Sequence, residues 1–133
     1  MNYQYIGKST PVNNSRAKAS GLLRYAGDMK LPNMLHMKLV LSPVAHGIVK
    51  AIDSSAALAM PGVAAVLSFE NTVDTKYNRG RVRISEDVMD QETLFSRHVR
   101  FVGDRVAAVL ADSPEIAAAA AEAIQLEIEE LPA

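Results

Sequence analysis

The sequence contains no cysteine. That absence removes disulfides, zinc knuckles, iron–sulfur ligation and thiol nucleophiles together, so redox chemistry does not dictate the compartment. An excess of charge of one sign is missing too. Fourteen Lys and Arg against fifteen Asp and Glu leave a formal charge of −1, without the positive surplus that phosphate backbones or anionic membranes select. Neither nucleic acid nor membrane is an expected partner. No apolar run approaches the roughly eighteen residues of a membrane span, and Met1 to Thr10 lacks the basic and then apolar blocks of a signal peptide. A cytoplasmic protein is expected.

The residue constellations of catalysis are equally scarce. His36, His46 and His98 are scattered, and no two have the spacing that places a pair of imidazoles on one helix face for a metal. His46 follows the Ser42-Pro43 turn, where backbone hydrogen bonds commonly hold a side chain. Glu127, Glu129 and Glu130 alternate with Leu126 and Ile128 as the wet face of a strand does, rather than as an acid and base pair. Glycine-rich phosphate loops and the GxSxG elbow do not occur. Catalytic, cofactor-binding and metal-binding residues are therefore expected to be none. Arg79, Arg81 and Arg83 form a basic ribbon with Lys76 that reads either as a phosphate contact or as a solvated or partner-facing loop.

What the chain does contain is enough apolar material for a core. Its 133 residues suit a single domain, with 49% hydrophobic and 22% charged residues. Residues 1–30 are polar and glycine-punctuated, which predicts an extended lead-in with turns and without an amphipathic helix. Leu35, Met37, Leu39 and Leu41 alternate with His36, Lys38 and Val40, the period of a half-buried strand. Ile48 to Ile52 is a second strand. Asp53, Ser54 and Ser55 offer helix caps for an alanine-rich helix at about 53–60, which Pro61 and Gly62 end before a strand at Val63 to Phe69. Residues 70–97 read as a polar, loop-rich middle.

Arg105 to Ala111 is apolar on both faces, which predicts an interior strand, with Gly103 in the turn before it. Ser113 as N-cap and Pro114 at the first helical position open a helix at about 114–124, with its apolar stripe on Ile116, Ala117, Ala120, Ala121 and Ile124. Leu126 and Ile128 then mark a last strand. The pattern predicts an α+β fold with a mixed sheet and two main helices.

Five blocks in order give the chain a family resemblance. They are "GLLRYAGD" with Gly21, Tyr25 and Asp28; "LPNMLHMKLVLSPVAHG"; "IDSSAALAMPGVAAVL"; "VRFVGDRVAAVLAD"; and the alanine-rich helix with "EIEELPA". Together they resemble the α/β hammerhead domain that opens the large, molybdopterin-binding subunit of the xanthine dehydrogenase and aldehyde oxidase family. The family commonly has arginine and histidine where Leu41 and Val44 stand, and often aspartate in place of Asn14. Gly103-Asp104-Arg105 replaces a frequent Gly-Gln-Pro, a variant associated with the xanthine dehydrogenase-like side.

The resemblance implies a non-catalytic scaffold within a molybdenum hydroxylase acting on purines, N-heterocycles or aldehydes. Its parent would use molybdenum–molybdopterin, iron–sulfur clusters and FAD. The implied partners are a downstream molybdenum-binding domain of the same polypeptide and iron–sulfur and flavin domains or subunits. Candidate interface residues are Arg79, Arg81, Arg83, Tyr25, Asp28 and His46. The alternative is a stand-alone small-ligand or protein-binding module of the same fold.

Overall fold

The computed structural model describes residues 3–10, 12–77 and 92–132. It divides into two compact units, Met1–Pro32 and Asn33–Ala133. The first unit contains a 3-10 turn at Ala26–Asp28 and helix α1 (Ser15–Ala19), the latter where the sequence predicted an extended lead-in with turns. Helix α1 is one turn long and buries nothing, so it leaves no amphipathic pattern in the sequence.

The second unit carries the fold. Its strands are β1 (His36–Leu41), β2 (Gly47–Asp53), β3 (Val63–Ser68), β4 (His98–Val99), β5 (Arg105–Ala111) and β6 (Gln125–Glu130), with helices α2 (Ser55–Leu58) and α3 (Pro114–Ala123). They form two three-stranded sheets, ordered β1-β5-β3 and β4-β2-β6. Every pairing between these strands is antiparallel, which corrects the expected mixed sheet. A β-α-β sequence returning to its own sheet gives parallel neighbours. Here α2 leads from β2 into the other sheet at β3, and α3 leads from β5 back to β6. Each crossover therefore changes sheet, and the α+β hammerhead class stands with the sheet composition revised.

The interior strand is β5, as its two apolar faces imply. Val106, Ala107, Ala108, Val109 and Ala111 are fully buried. On one face Val40, Val66, Ala107 and Val109 pack with Ala57 of α2 and Ala120 and Ile124 beside α3. The stripe forecast for α3 faces this core, with Ser113 Oγ accepting the Ile116 N–H at 3.2 Å as the N-cap. Val106 belongs to a second cluster with Val49 and Val99, against which Phe69, Leu126 and Ile128 pack.

Helix α2 is shorter than 53–60. Asp53 ends β2, and its carboxylate accepts the Ser55 N–H at 2.9 Å, so the helix opens only at Ser55. The face of β1 also differs from the expected one. Val40 is its buried residue, while Met37, Leu39 and Leu41 are 61%, 36% and 47% exposed. The helices cover the even-numbered face, so the leucine-rich odd face lies outward.

Gly47 is required by proximity. A Cβ there would come within 2.8 Å of both the Glu129 carbonyl oxygen and Ile128 Cγ2, a clash that alanine could avoid only by moving the β2–β6 ladder.

Candidate functional site

Three of the blocks that carry the family resemblance, around Ser42-Pro43, around Gly103 and at the C-terminal end, meet through backbone clamps. Ser42, buried after β1, uses its hydroxyl to accept the Val44 N–H at 3.1 Å and to donate to the Val44 carbonyl at 3.0 Å, closing the Ser-Pro turn. Its own N–H donates to the Asp104 carbonyl at 2.8 Å, and its carbonyl accepts the Gly103 N–H at 2.8 Å. Two distant turns are thereby locked together. Gly103 lies at φ +89°, a left-handed conformation that favours glycine, and the Asp104 N–H closes the turn onto the Phe101 carbonyl at 3.1 Å. The Asp104 carboxylate then accepts the N–H groups of Arg100 at 3.2 Å and Arg105 at 2.9 Å. The glycine is thus a turn residue, as the sequence suggested, and the β1–β5 register skip follows it at Val106.

His46 joins the same turn region to the far end of the chain. Its Nδ1 lies 2.6 Å from the Pro132 carbonyl oxygen, which can only accept, so His46 donates from Nδ1. The Leu131 N–H donates in return to the His46 carbonyl at 3.0 Å. In the neutral ring this leaves His46 Nε2 as an acceptor for the Nε2–H of His98, 2.9 Å away. The two ring centroids are 5.1 Å apart. His46 is held by a backbone carbonyl, as its turn setting suggested. The contact with His98 was not legible, because 52 residues separate them and only the β2–β4 pairing brings them to one face.

In the first unit, the Asp28 carboxylate accepts the Tyr25 N–H at 2.9 Å and the Asp28 N–H donates to the Tyr25 carbonyl at 3.0 Å. These reciprocal bonds close the 3-10 turn and leave the Tyr25 ring 57% exposed.

Arg79, Arg81 and Arg83 lie outside the described residues. The described residues on either side meet as an antiparallel bridge, Tyr77 to Glu92. Arg105 fastens that bridge, donating from Nη2 to the Tyr77 hydroxyl at 2.8 Å and to the Glu92 carboxylate at 3.2 Å.

Sequence reasoning passed over Ser42, Asp104 and Arg105 as side chains with structural duties. The available signal was turn chemistry: a hydroxyl before Pro43 and a carboxylate after Gly103 are both side chains that bind nearby backbone.

For the iron–sulfur clusters among the cofactors that the resemblance implies, the donor set does not fit. The chain has no cysteine for iron–sulfur ligation, and among the described residues no three His, Asp or Glu side chains converge on a metal position. Among them, too, no helix is long and apolar enough to cross a membrane.

Residues 20–132 match the family model described as the aldehyde oxidase and xanthine dehydrogenase a/b hammerhead domain. The chain is 44% identical over 108 residues to the carbon monoxide dehydrogenase large chain of Hydrogenophaga pseudoflava, covering 81% of this chain and 13% of that protein. It is 36% identical over 120 residues to the xanthine dehydrogenase molybdenum-binding subunit of Escherichia coli O157:H7, covering 87% and 16%. Among solved structures, quinoline 2-oxidoreductase from Pseudomonas putida 86 superposes with a TM-score of 0.83 at 36% identity, over 96% of this chain and 16% of that one. The chain spans about one seventh of the length of such relatives. The sequence match and the superposition agree, and the chain belongs to the aldehyde oxidase and xanthine dehydrogenase family as its α/β hammerhead domain.

Proposed function

We propose that this chain is the non-catalytic scaffold domain of a molybdenum-containing hydroxylase. The observation that carries the reading is what its signature side chains do. Ser42, Asp104 and Asp28 spend their side-chain polar atoms on backbone groups, and His46 divides its ring between the Pro132 carbonyl and His98, so these side chains serve bonds within the chain. Side chains so committed position turns rather than meet a substrate.

In this reading the parent is a cytoplasmic oxidoreductase that hydroxylates a purine, another N-heterocycle or an aldehyde. Molybdopterin supplies the hydroxylation chemistry when bound, and iron–sulfur clusters and FAD carry the electrons away. Other parts of the larger protein hold these groups, and this chain has no thiolate to offer an iron–sulfur cluster. Residues 1–133 are read as a single hammerhead domain, and its partners are the downstream molybdenum-binding domain and the electron-transfer domains or subunits. Rigidity is the contribution, because electron transfer depends on fixed cofactor spacing. Arg79, Arg81, Arg83, Tyr25, Asp28 and His46 are the proposed inter-domain contacts, Tyr25 by its exposed ring and the arginines by their charge.

The test is to read the coding frame beyond residue 133 and to measure molybdenum in the encoded product and in this chain alone. The expected result is a frame several times longer, with molybdenum in the long product only. Stoichiometric molybdenum in the isolated chain would overturn the reading.

A further inference from the structure

The face of the β1-β5-β3 sheet turned away from the helices carries two rows of three residues. Register places Met37, Leu110 and Ala65 side by side, then Leu39, Ala108 and Leu67. Directly opposite residues in antiparallel strands project to the same face. All six are apolar, and no charge or hydroxyl interrupts them. Ala108 at its centre is fully buried and Ala65, Leu67 and Leu110 are half-buried, so Met37 at 61% and Leu39 at 36% exposed are its bare part, on a strand that is itself at the edge of its sheet.

A sheet face built to meet water looks different, and this molecule contains one. Glu127 and Glu129 stand outward on β6, with Glu129 ion-paired to Lys50 of β2. The chain therefore places charge on a face left to solvent, and it does not do so on the outer face of β1. An uninterrupted apolar face of this kind marks an interaction surface. The absence of charge also sets the partner's chemistry: the occupant is an apolar protein surface, not a polyanion.

We infer that the β1 edge of this face, Met37 and Leu39 with the half-buried Leu110, Ala65 and Leu67 beside them, docks onto an apolar surface of the remaining polypeptide of the molybdenum subunit. The inference rests on the proposed function for the existence of that polypeptide. Length supplies the argument for this occupant. The relatives devote only 13–16% of their chain to the matching segment, so the equivalent sheet in them lies within a polypeptide several times larger. A cover provided in the same chain needs no separate association step and suits a permanent, apolar contact.

Methionine oxidation reads the contact at its bare edge, since susceptibility to peroxide follows exposure. Met37 oxidation is followed by peptide mass spectrometry in this chain alone and in the complete subunit, with free methionine as a dose standard. The expected result is oxidation at least about tenfold slower in the complete subunit. A variant, Leu39→Asp, should leave the circular dichroism of this chain unchanged and lower the yield of assembled subunit severalfold. Equal oxidation rates in the two forms, or normal assembly of Leu39→Asp, would overturn the inference. Protection that grows with concentration in this chain alone would also overturn it, in favour of a second copy. A coding frame that ends with this chain is a different failure, since it removes the proposed function itself and is read from DNA alone.

Discussion

Asp104 shows how one side chain can serve a fold through backbone alone. Its carboxylate accepts two N–H groups, while its own carbonyl and the adjacent Gly103 amide hold Ser42. Hydrogen bonds to a charged acceptor are the stronger kind, so Asp104→Ala is expected to lower stability by about 1–3 kcal/mol in urea unfolding. A midpoint equal to that of the parent chain would remove Asp104 from the clamp. Two other carboxylates have a pH signature. The hydroxyl and amide of Ser55 hold the Asp53 carboxyl below its ordinary value. For Glu115 the same lowering comes first from its own backbone N–H, then from the Ser113 hydroxyl, with a smaller contribution from His36. A carboxyl lowered in the folded state stabilises above its unfolded value of about 4 and loses that contribution as pH falls through the folded value. The melting temperature should therefore hold from neutral pH to about pH 5 and decline below about pH 4. Asp53→Asn with Glu115→Gln should make that acid decline shallower, and an unchanged acid limb would contradict the assignment.

At the scale of elements, helix α3 gives the sharpest test of packing. Ala120 is fully buried against the sheet, whereas Ala119 on the same helix is exposed. Ala120→Asp is expected to cost about 3 kcal/mol or more, since it buries an unpaired charge. Ala119→Asp should cost under about 1 kcal/mol, and equal denaturation midpoints for the two would put the helix on the wrong face.

Helix α3 and β5 were legible in the sequence because their cover comes from neighbours in the same unit. Ser113 and Pro114 mark the helix start, and β5 is apolar at every position from Val106 to Ala111. The alternation of β1 was legible, but not which face is covered. Its leucines look like a buried side, yet α3 packs on the side of Val40, and nothing within the sequence says where a helix 70 or more positions away will lie. The mixed-sheet expectation failed for a related reason, since alternating strands and helices do not reveal that each crossover changes sheet. At the candidate site, His46 was readable from its turn. Its partners Pro132 and His98 were not, because only the β4-β2-β6 pairing joins them.

For the whole molecule, the clamps at Ser42, His46 and Asp104 link the turn after β1, the turn before β5 and the end of β6. Three segments distant in sequence become one frame, and that is the physical content of calling the domain a scaffold. A scaffold role makes stability and chemistry separable. The most direct measurement is turnover per bound molybdenum in the complete subunit carrying Asp104→Ala, taken beside its melting temperature. The melting temperature should fall by several degrees while turnover per molybdenum stays within about twofold of the parent. Turnover per molybdenum that collapses while the melting temperature stays unchanged would contradict the scaffold role and place chemistry in this domain.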